Sequence, residues 1–228
     1  MKAGERVQLT HGKTLRHAAL ALLCAFVCLC AAGRALAKET AAEREAKLRA
    51  GFLYHLAKLV TWEKDRFTDD KAPIIVGFLG DAMPELPDYF ESQAPSYKAQ
   101  NRDMLVRRFK LPAPDADKSL IQKRIGEIQR CHILYVPREL ERDIQKFPDL
   151  FNSRGALIVG ETRGFTEKQG MIGLEIVKGR IVIFVNRENL KRGQLAVSAQ
   201  FLQHAIQVDS KSEGAGAGQK NSQERQKH

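Results

Sequence analysis

The side chains able to do chemistry are few in this 228-residue chain, and their spacing is wide. His55, His132 and His204 are the histidines of its central region. No two stand a turn or a few residues apart, the spacing by which one segment presents two ligands to a metal. Cys24, Cys28 and Cys30 fall together in an apolar run, whereas Cys131 stands alone at the head of Cys131–Val136. There is no G-x-S-x-G elbow, no H-E-x-x-H and no C-x-x-C. Gly214-Ala215-Gly216-Ala217-Gly218-Gln219-Lys220 has the glycines of a phosphate loop but neither its Gly-Lys-Ser/Thr ending nor a strand before it. The pairs Arg107-Arg108 and Glu175…Arg180 could bind a ligand, and they equally suit solvated strand positions. Nothing here assembles a nucleophile, a base and an oxyanion site. The expectation is therefore a protein with no catalytic residues, no metal and no cofactor.

The elements around these residues begin with a leader. Lys2, Arg6, Lys13 and Arg16 precede the apolar run Ala18 to Ala32, and Ala35-Leu36-Ala37 follows. A basic start, a short apolar stretch and an A-x-A site predict a signal peptide over 1–37, cleaved after Ala37. The run is too short for a spanning helix, which needs about 20 residues. Neither Cys28 nor Cys30 follows the small residue that lipid attachment requires. Residues 38–208 are expected to form a single domain, and the polar, glycine-rich 209–228 a disordered tail.

Export sets the compartment and the redox problem. Removing the leader removes three of the four cysteines, so a lone Cys131 faces an oxidising space with no internal partner. The fold must then rest on apolar burial, and the strand-like CHILYV context makes Cys131 a core residue. Five of the 37 basic and one of the 27 acidic residues lie in the leader, which leaves the mature chain at net +6. That is a mild bias toward acidic partners or envelope surfaces. It lacks the dense basic stripe of a nucleic-acid binder.

Apolar periodicity gives the layout. Leu48, Phe52, Leu56 and Leu59 predict a helix over 40–61, widened by Leu53 and Val60. Apolar runs predict strands at 74–81, 104–109, 131–136 and 156–159. Helical patterns separate them, a short one around 86–92, one over 120–128 and a stripe of Leu140, Ile144, Phe147 and Phe151. Strands with near-continuous apolar residues, separated by helices, argue for a parallel sheet covered on both faces. Residues 171–177 and 180–185 flank Lys178-Gly179 at hairpin spacing, and a helix is expected over 196–207. The fold class is three-layer α/β: a mainly parallel sheet of about six strands, helices on both faces, and a C-terminal β-hairpin plus helix.

Six segments then act together: FLYHLAKLVTW (52–62), IIVGFLGD (74–81), VRRF (106–109), CHILYV (131–136), GFTEKQGMIGLEIVKGRIVIFVN (164–186) and SAQFLQHA (198–205). In this order and spacing the chain resembles the YfiR family of bacterial periplasmic regulatory proteins, over about residues 50–208. The resemblance implies a non-enzymatic periplasmic protein that binds and represses the sensory domain of an inner-membrane signalling protein, a diguanylate cyclase. Cyclic di-GMP and biofilm formation would fall as a result. The family uses disulfides, and Cys131 matches a position used that way; with no second mature cysteine, an internal redox switch has no partner, and a homodimer through Cys131 needs an exposed thiol.

For partner contact the sequence offers the outer face of the first helix, with Tyr54 and Lys58, and the Lys178-Gly179 hairpin. The alternative reading is a periplasmic small-ligand binding protein. Its pocket would lie at the carboxyl ends of the strands, near Gly80-Asp81 and Pro137-Arg138.

Overall fold

A computed structural model describes residues 39–113, 115–152 and 154–210. The expected leader with its cleavage site, and the expected tail from 211 onward, lie outside the described residues. The chain divides after Thr40, and the unit from Ala41 onward carries the elements that follow.

Helix α1 (Ala41–Leu59) opens this unit. Its buried residues are Ala46, Arg49, Ala50, Leu53, Leu56 and Ala57, at the 3.6-residue period of one helix face. The stripe is rotated from the expected one, because Leu48, Phe52 and Leu59 flank it and are only half-buried. Alanines at the centre let the helix approach the sheet closely, and the larger side chains fill the margins. The helix ends at Leu59, short of the expected 61, because Val60–Thr61 is a strand, β1. The Gln100 amide caps this end, donating to the carbonyls of Ala57 and Val60 at 2.9 and 2.7 Å.

The remaining strands are β2 (Ile74–Leu79), β3 (Lys98–Ala99), β4 (Arg102–Phe109), β5 (Ile133–Tyr135), β6 (Leu157–Gly160), β7 (Ile172–Val177), β8 (Arg180–Val185), β9 (Ala196–Val197) and β10 (Ile206–Gln207). The main sheet runs β3-β4-β2-β5-β6-β7-β8-β10, eight strands where about six were expected. From β4 to β7 neighbouring strands are parallel. The additions are two-residue strands, β3 antiparallel at one edge and β10 at the other. A separate antiparallel pair joins β1 to β9, Val60 opposite Val197.

Alternation of side chains divides the core into two layers. Ile74, Val76, Phe78, Met104, Val106, Ile133, Tyr135, Leu157 and Val159 face α1 and α2 (Glu85–Gln93). Leu79, Leu134, Val136 and Ile158 face α3 (Lys118–Ile128) and the segment after β5. Between β5 and β6 the expected helix is absent. Three 3-10 segments, Arg138–Leu140, Asp143–Lys146 and Pro148–Asn152, carry the stripe of Leu140, Ile144, Phe147 and Phe151 instead. Pro148 cannot supply the N–H that a continuous helix needs there. Two short helices follow strands without having been expected: α4 (Arg163–Lys168), capped by Thr162, and α5 (Arg187–Arg192), capped by Asn186. The expected helix over 196–207 shrinks to α6 (Ala199–Gln203), with β9 and β10 on either side.

His132 sits beneath the loop after α1, 3% exposed. Its Nδ1 accepts the Ile75 N–H at 3.0 Å, so the imidazole is neutral with its proton on Nε2. The ring stacks on Phe67 at 4.5 Å and meets Trp62 edge-on at 5.7 Å. Burial, with the Arg66 and Arg102 guanidinium groups nearby, pulls its pKa down to about 4. The unfolded chain binds this proton more readily than the folded one. Stability is therefore fully present above pH 6.5 and is lost as pH falls toward 4, by about 3 kcal/mol. Urea unfolding midpoints across pH 7 to 4 measure this loss, and His132→Asn, which keeps an acceptor for Ile75, is expected to flatten the slope.

Candidate functional site

In a doubly wound sheet, ligands settle where the winding reverses, at the carboxyl ends of the strands. Here β2 connects to β4 on one side, and the chain then crosses to β5 on the other. The reversal lies between Leu79-Gly80 and Tyr135-Val136, beside the Gly80-Asp81 and Pro137-Arg138 turns expected to border a pocket. The crevice there, lined by Phe78, Met83, Leu86, Pro87, Tyr135 and Pro137 among others, holds only about 10 Å³. That is room for about one water and no small ligand. Leu140 packs on Gly80 from the other layer, its Cδ1 2.5 Å from where a Cβ on that glycine would stand. Gly80 also has φ +77°, a left-handed backbone conformation that favours glycine. The pocket expected at this place is thus filled by the protein's own side chains.

Beside the plug lies a buried polar cluster that the sequence did not announce. Glu161, one residue beyond β6, points to the α1 face. Its Oε2 accepts from Arg49 Nη2 at 3.0 Å, and its Oε1 from the Tyr135 hydroxyl at 2.6 Å. Arg49, Tyr135 and Glu161 are 3%, 2% and 4% exposed. Glu45 holds the other side of the guanidinium, Nη1 to Oε2 at 3.0 Å, while Arg49 Nε has no partner among the described residues. Burial works against the charge on Arg49, but Tyr135 and Glu161 beside it outweigh that and raise its pKa. Burial, with Glu161 adjacent, pushes the Tyr135 hydroxyl well above its ordinary range.

Glu141 completes the cluster from the 3-10 side. Its Oε1 accepts the backbone N–H groups of Glu161 and Thr162 at 2.7 and 2.9 Å, and its Oε2 the Thr162 hydroxyl. Burial raises the Glu141 pKa against these hydrogen bonds. The carboxylates are already paired, and the crevice beside them does not admit a substrate. What this arrangement does is clamp: Arg49 fixes α1, and Glu141 fixes the β6–α4 turn, on one carboxyl edge.

Cys131 is completely buried and has no disulfide. Its Sγ lies 2.6 Å from where a Cβ on Gly77 would stand, so it fills the space that the glycine leaves. Burial pushes the thiol up to about 12. A redox role needs an accessible thiolate, and this position opposes it, as it opposes a homodimer linked through Cys131.

The partner-contact residues fall into two groups. Tyr54 is half-buried; it donates to the Lys98 carbonyl at 3.0 Å and stacks on Tyr97 at 4.2 Å, 10° from parallel. The Lys58 Nζ lies 5.1 Å from the Tyr54 ring centre. These residues therefore sit at the β3 edge. Lys178 and Gly179 form the tip of the β7–β8 hairpin, with φ +51° and +74°, a type I′ geometry that Lys adopts here despite its side chain. They sit at the opposite edge of the eight-stranded sheet. At ordinary strand spacing the two groups are roughly 30 Å apart, and the structure does not bring them together. The histidines do not converge either: His55 and His204 are exposed, and His132 is buried. Among the described residues no His, Cys, Asp and Glu group has metal-site geometry, and no helix is long and apolar enough to cross a membrane.

A cleft of about 480 Å³ was not foreseen. Phe151, Met171 and Asn189 line it together with Arg154, Lys168 and Arg192. It draws on the loop before β6 and on α4 and α5, the two helices without a periodic signal.

Two expectations follow from the buried groups. Arg49→Ala leaves Glu161 buried without its cation and is expected to cost about 3–5 kcal/mol in chemical denaturation. Replacing the set with apolar residues, Arg49→Met, Glu161→Leu and Tyr135→Phe together, should recover most of that loss. For Cys131, Ellman's reagent should leave this thiol unlabelled in the native protein and label it once guanidinium unfolds the chain.

A family model described as YfiR/HmsC-like matches residues 46–206. No curated protein matches the chain. Among solved structures, similarity is remote. A ligand-free, open substrate-binding protein with adhesive properties from Clostridium difficile shares 12% identity at a TM-score of 0.45, over 60% of this chain and 55% of that one. A conserved domain protein from Vibrio cholerae shares 8% at 0.41, over 60% and 55%. An ABC domain from Streptococcus pneumonia in complex with L-Trp shares 13% at 0.42, over 59% and 54%. The chain thus spans about 55% of the length of these proteins.

Proposed function

This chain belongs to the YfiR/HmsC-like family, and on that premise we propose that it is a periplasmic, non-enzymatic regulator of an inner-membrane signalling protein. The partner in this reading is the periplasmic sensory domain of a diguanylate cyclase, held in its inactive state. The mature chain starts after Ala37. Family membership carries the reading, and the filled crevice at the strand ends supports it. A protein that acts through its surface has no need of a pocket at the position where α/β proteins usually bind ligands.

The mechanism is a population shift. A cyclase that exchanges between an active and an inactive state is biased by whatever binds one of them more tightly. Moving such an equilibrium from 1:99 to 99:1 takes about 5.5 kcal/mol of differential binding. The contacts would come from one sheet edge: Tyr54 and Lys58 at one side, or Lys178 and Gly179 at the other. Repression would lower cyclic di-GMP in the cytoplasm, and with it biofilm formation, without the regulator meeting the nucleotide.

One observation favours the second reading, a small-ligand binding protein. The cleft of about 480 Å³ beside α4 and α5 falls within the usual size of ligand sites, and Arg154, Lys168 and Arg192 would favour an anion. The two readings separate in one experiment. The protein is cross-linked in its native envelope and the captured membrane proteins are identified. The regulator reading expects a receptor with a cytoplasmic GGDEF-type domain, and a rise in cyclic di-GMP when the gene is deleted. Capture of no membrane protein, with cyclic di-GMP unchanged on deletion, overturns it in favour of the ligand reading.

A further inference from the structure

The composition of β8 does not match its place in the sheet. Arg180-Ile181-Val182-Ile183-Phe184-Val185 has five apolar residues in a row. Strands read this way when both faces are buried, whereas a strand with one wet face alternates. Yet β8 lies next to the sheet edge. β10 pairs only with Phe184 and Val185, and among the described residues no strand pairs with the outer side of Arg180–Ile183. Ile181, Val182 and Ile183 are half-buried. Val177 at the hairpin tip is 45% exposed and Ile206 on β10 50%. Of the three large apolar residues most exposed among those described, two therefore border this one edge.

The backbone there is directed outward as well. Only Lys178 and Gly179 lie between the closing pair, Val177 and Arg180. In such a hairpin the closing residues and every second residue beyond exchange hydrogen bonds across the pair. Arg180, Val182 and Phe184 thus turn their N–H and C=O groups to β7. Both groups of Ile181 and the N–H of Ile183 face the open side, beyond the reach of β10. An open, apolar edge is a template for another strand unless charge or a cover blocks it.

We infer that the outer edge of β8 takes one extended strand from the partner protein, apolar at alternate positions and acidic at its ends. The charges select this occupant. Lys178 and Arg180 are exposed at the hairpin tip, and Arg187 is exposed just past the other end of β8. The Arg163 guanidinium lies over the Phe184 ring, 5.8 Å from its centre, but Glu167 pairs with it at 2.7 Å, so it adds no free charge to the edge. Against the other three bases, the acids nearest in the chain are Glu175 and Glu188. A second copy of this chain pairing antiparallel along this four-residue edge would place a Lys178-Arg180 tip at each end and bring no acid to either. Such a pair leaves both basic tips uncompensated, whereas acidic ends on a different incoming strand neutralise them. Main-chain bonds to Ile181 and Ile183 would supply affinity, and Val177, Val182 and Ile206, which share one face of the sheet, would select the apolar side chains. This deepens the partner-binding reading and rests on it for the partner's identity.

The test uses a ten-residue probe, acetyl-Glu-Asp-Val-Thr-Val-Thr-Val-Thr-Glu-Asp-amide, titrated into the 15N-labelled protein. The expected result is saturable shifts at the Ile181 and Ile183 amides and slower hydrogen exchange there. A version with Lys in place of each acid should bind at least tenfold more weakly. Ile181→Pro removes an outward N–H that β7 does not use, so it should abolish binding while the thermal midpoint stays within a few degrees. Should that variant fail to fold, Lys178→Glu with Arg180→Glu must reverse the preference between the two peptides. No saturable shift at these amides, equal binding of both peptides, or amides already protected in a self-associated protein overturns the proposal. Peptide binding without capture of a membrane receptor counts against the regulator reading alone. Receptor capture undiminished by a folded Ile181→Pro variant overturns the edge alone.

Discussion

Glu161 ties together parts of the chain that nothing else joins so directly. It stands just past the central strand β6 and takes hydrogen bonds from Arg49 on α1 and Tyr135 at the end of β5. Its own backbone N–H is held by Glu141 from the far side of the β5–β6 connection. Burying a carboxylate and a guanidinium costs several kcal/mol per ion, repaid only by close geometry and further hydrogen bonds. An apolar set of the same size would pack there as well, so net stability does not explain the pair. What the pair supplies is register. The alanine stripe of α1 would let the helix slide along the sheet, and one charge pair, whose mismatch is costly, selects a single position.

The same edge explains where activity can and cannot lie. Once α1 is fixed, α2 is set against it, and Met83, Leu86 and Pro87 fill the crevice between β2 and β5. Leu140 packs on Gly80 from the other layer. The fold thus spends its usual ligand position on packing. A domain whose only described cysteine is buried and unpaired has no covalent staple and depends on such filling for stability. Recognition is left to the sheet edges and to the cleft beside α4 and α5.

How much of this was legible follows from residue size and contact range. The strands β2, β4, β5, β6, β7 and β8 stand out because buried parallel strands need long apolar runs, and the hairpin stands out by its two-residue spacing. The two-residue strands β3, β9 and β10 carry no such signal. The turn before β4 is built on Gln100 and Asn101, both with positive φ, where glycine would have announced it. The face of α1 was read from its large side chains, although alanines form its centre. A four-residue stripe across 140–151 looked helical until Pro148 is given its full weight. The polar cluster was the least legible part, because Arg49, Glu141 and Glu161 look like surface residues until the fold brings them together. One hint was present: an acid directly after the apolar run Ala156–Gly160 has little chain in which to reach water.

The two edges differ in what they present to a partner, and the difference favours one of them as the place of recognition. At the β3 edge the aromatic groups are already satisfied, Tyr54 by Tyr97 and the Lys98 carbonyl, and Lys98 by Asp103 at 3.0 Å. Contact there would add little that the protein does not make for itself. At the β8 edge, among the described residues, apolar side chains and main-chain groups are uncovered at once, a combination that soluble proteins usually avoid. Keeping it exposes the protein to unwanted pairing, and a second copy would leave the lysine and arginine at each tip without an acid to meet them. Such an edge, open yet charged against itself, is what a protein acting by tight binding to a different one requires.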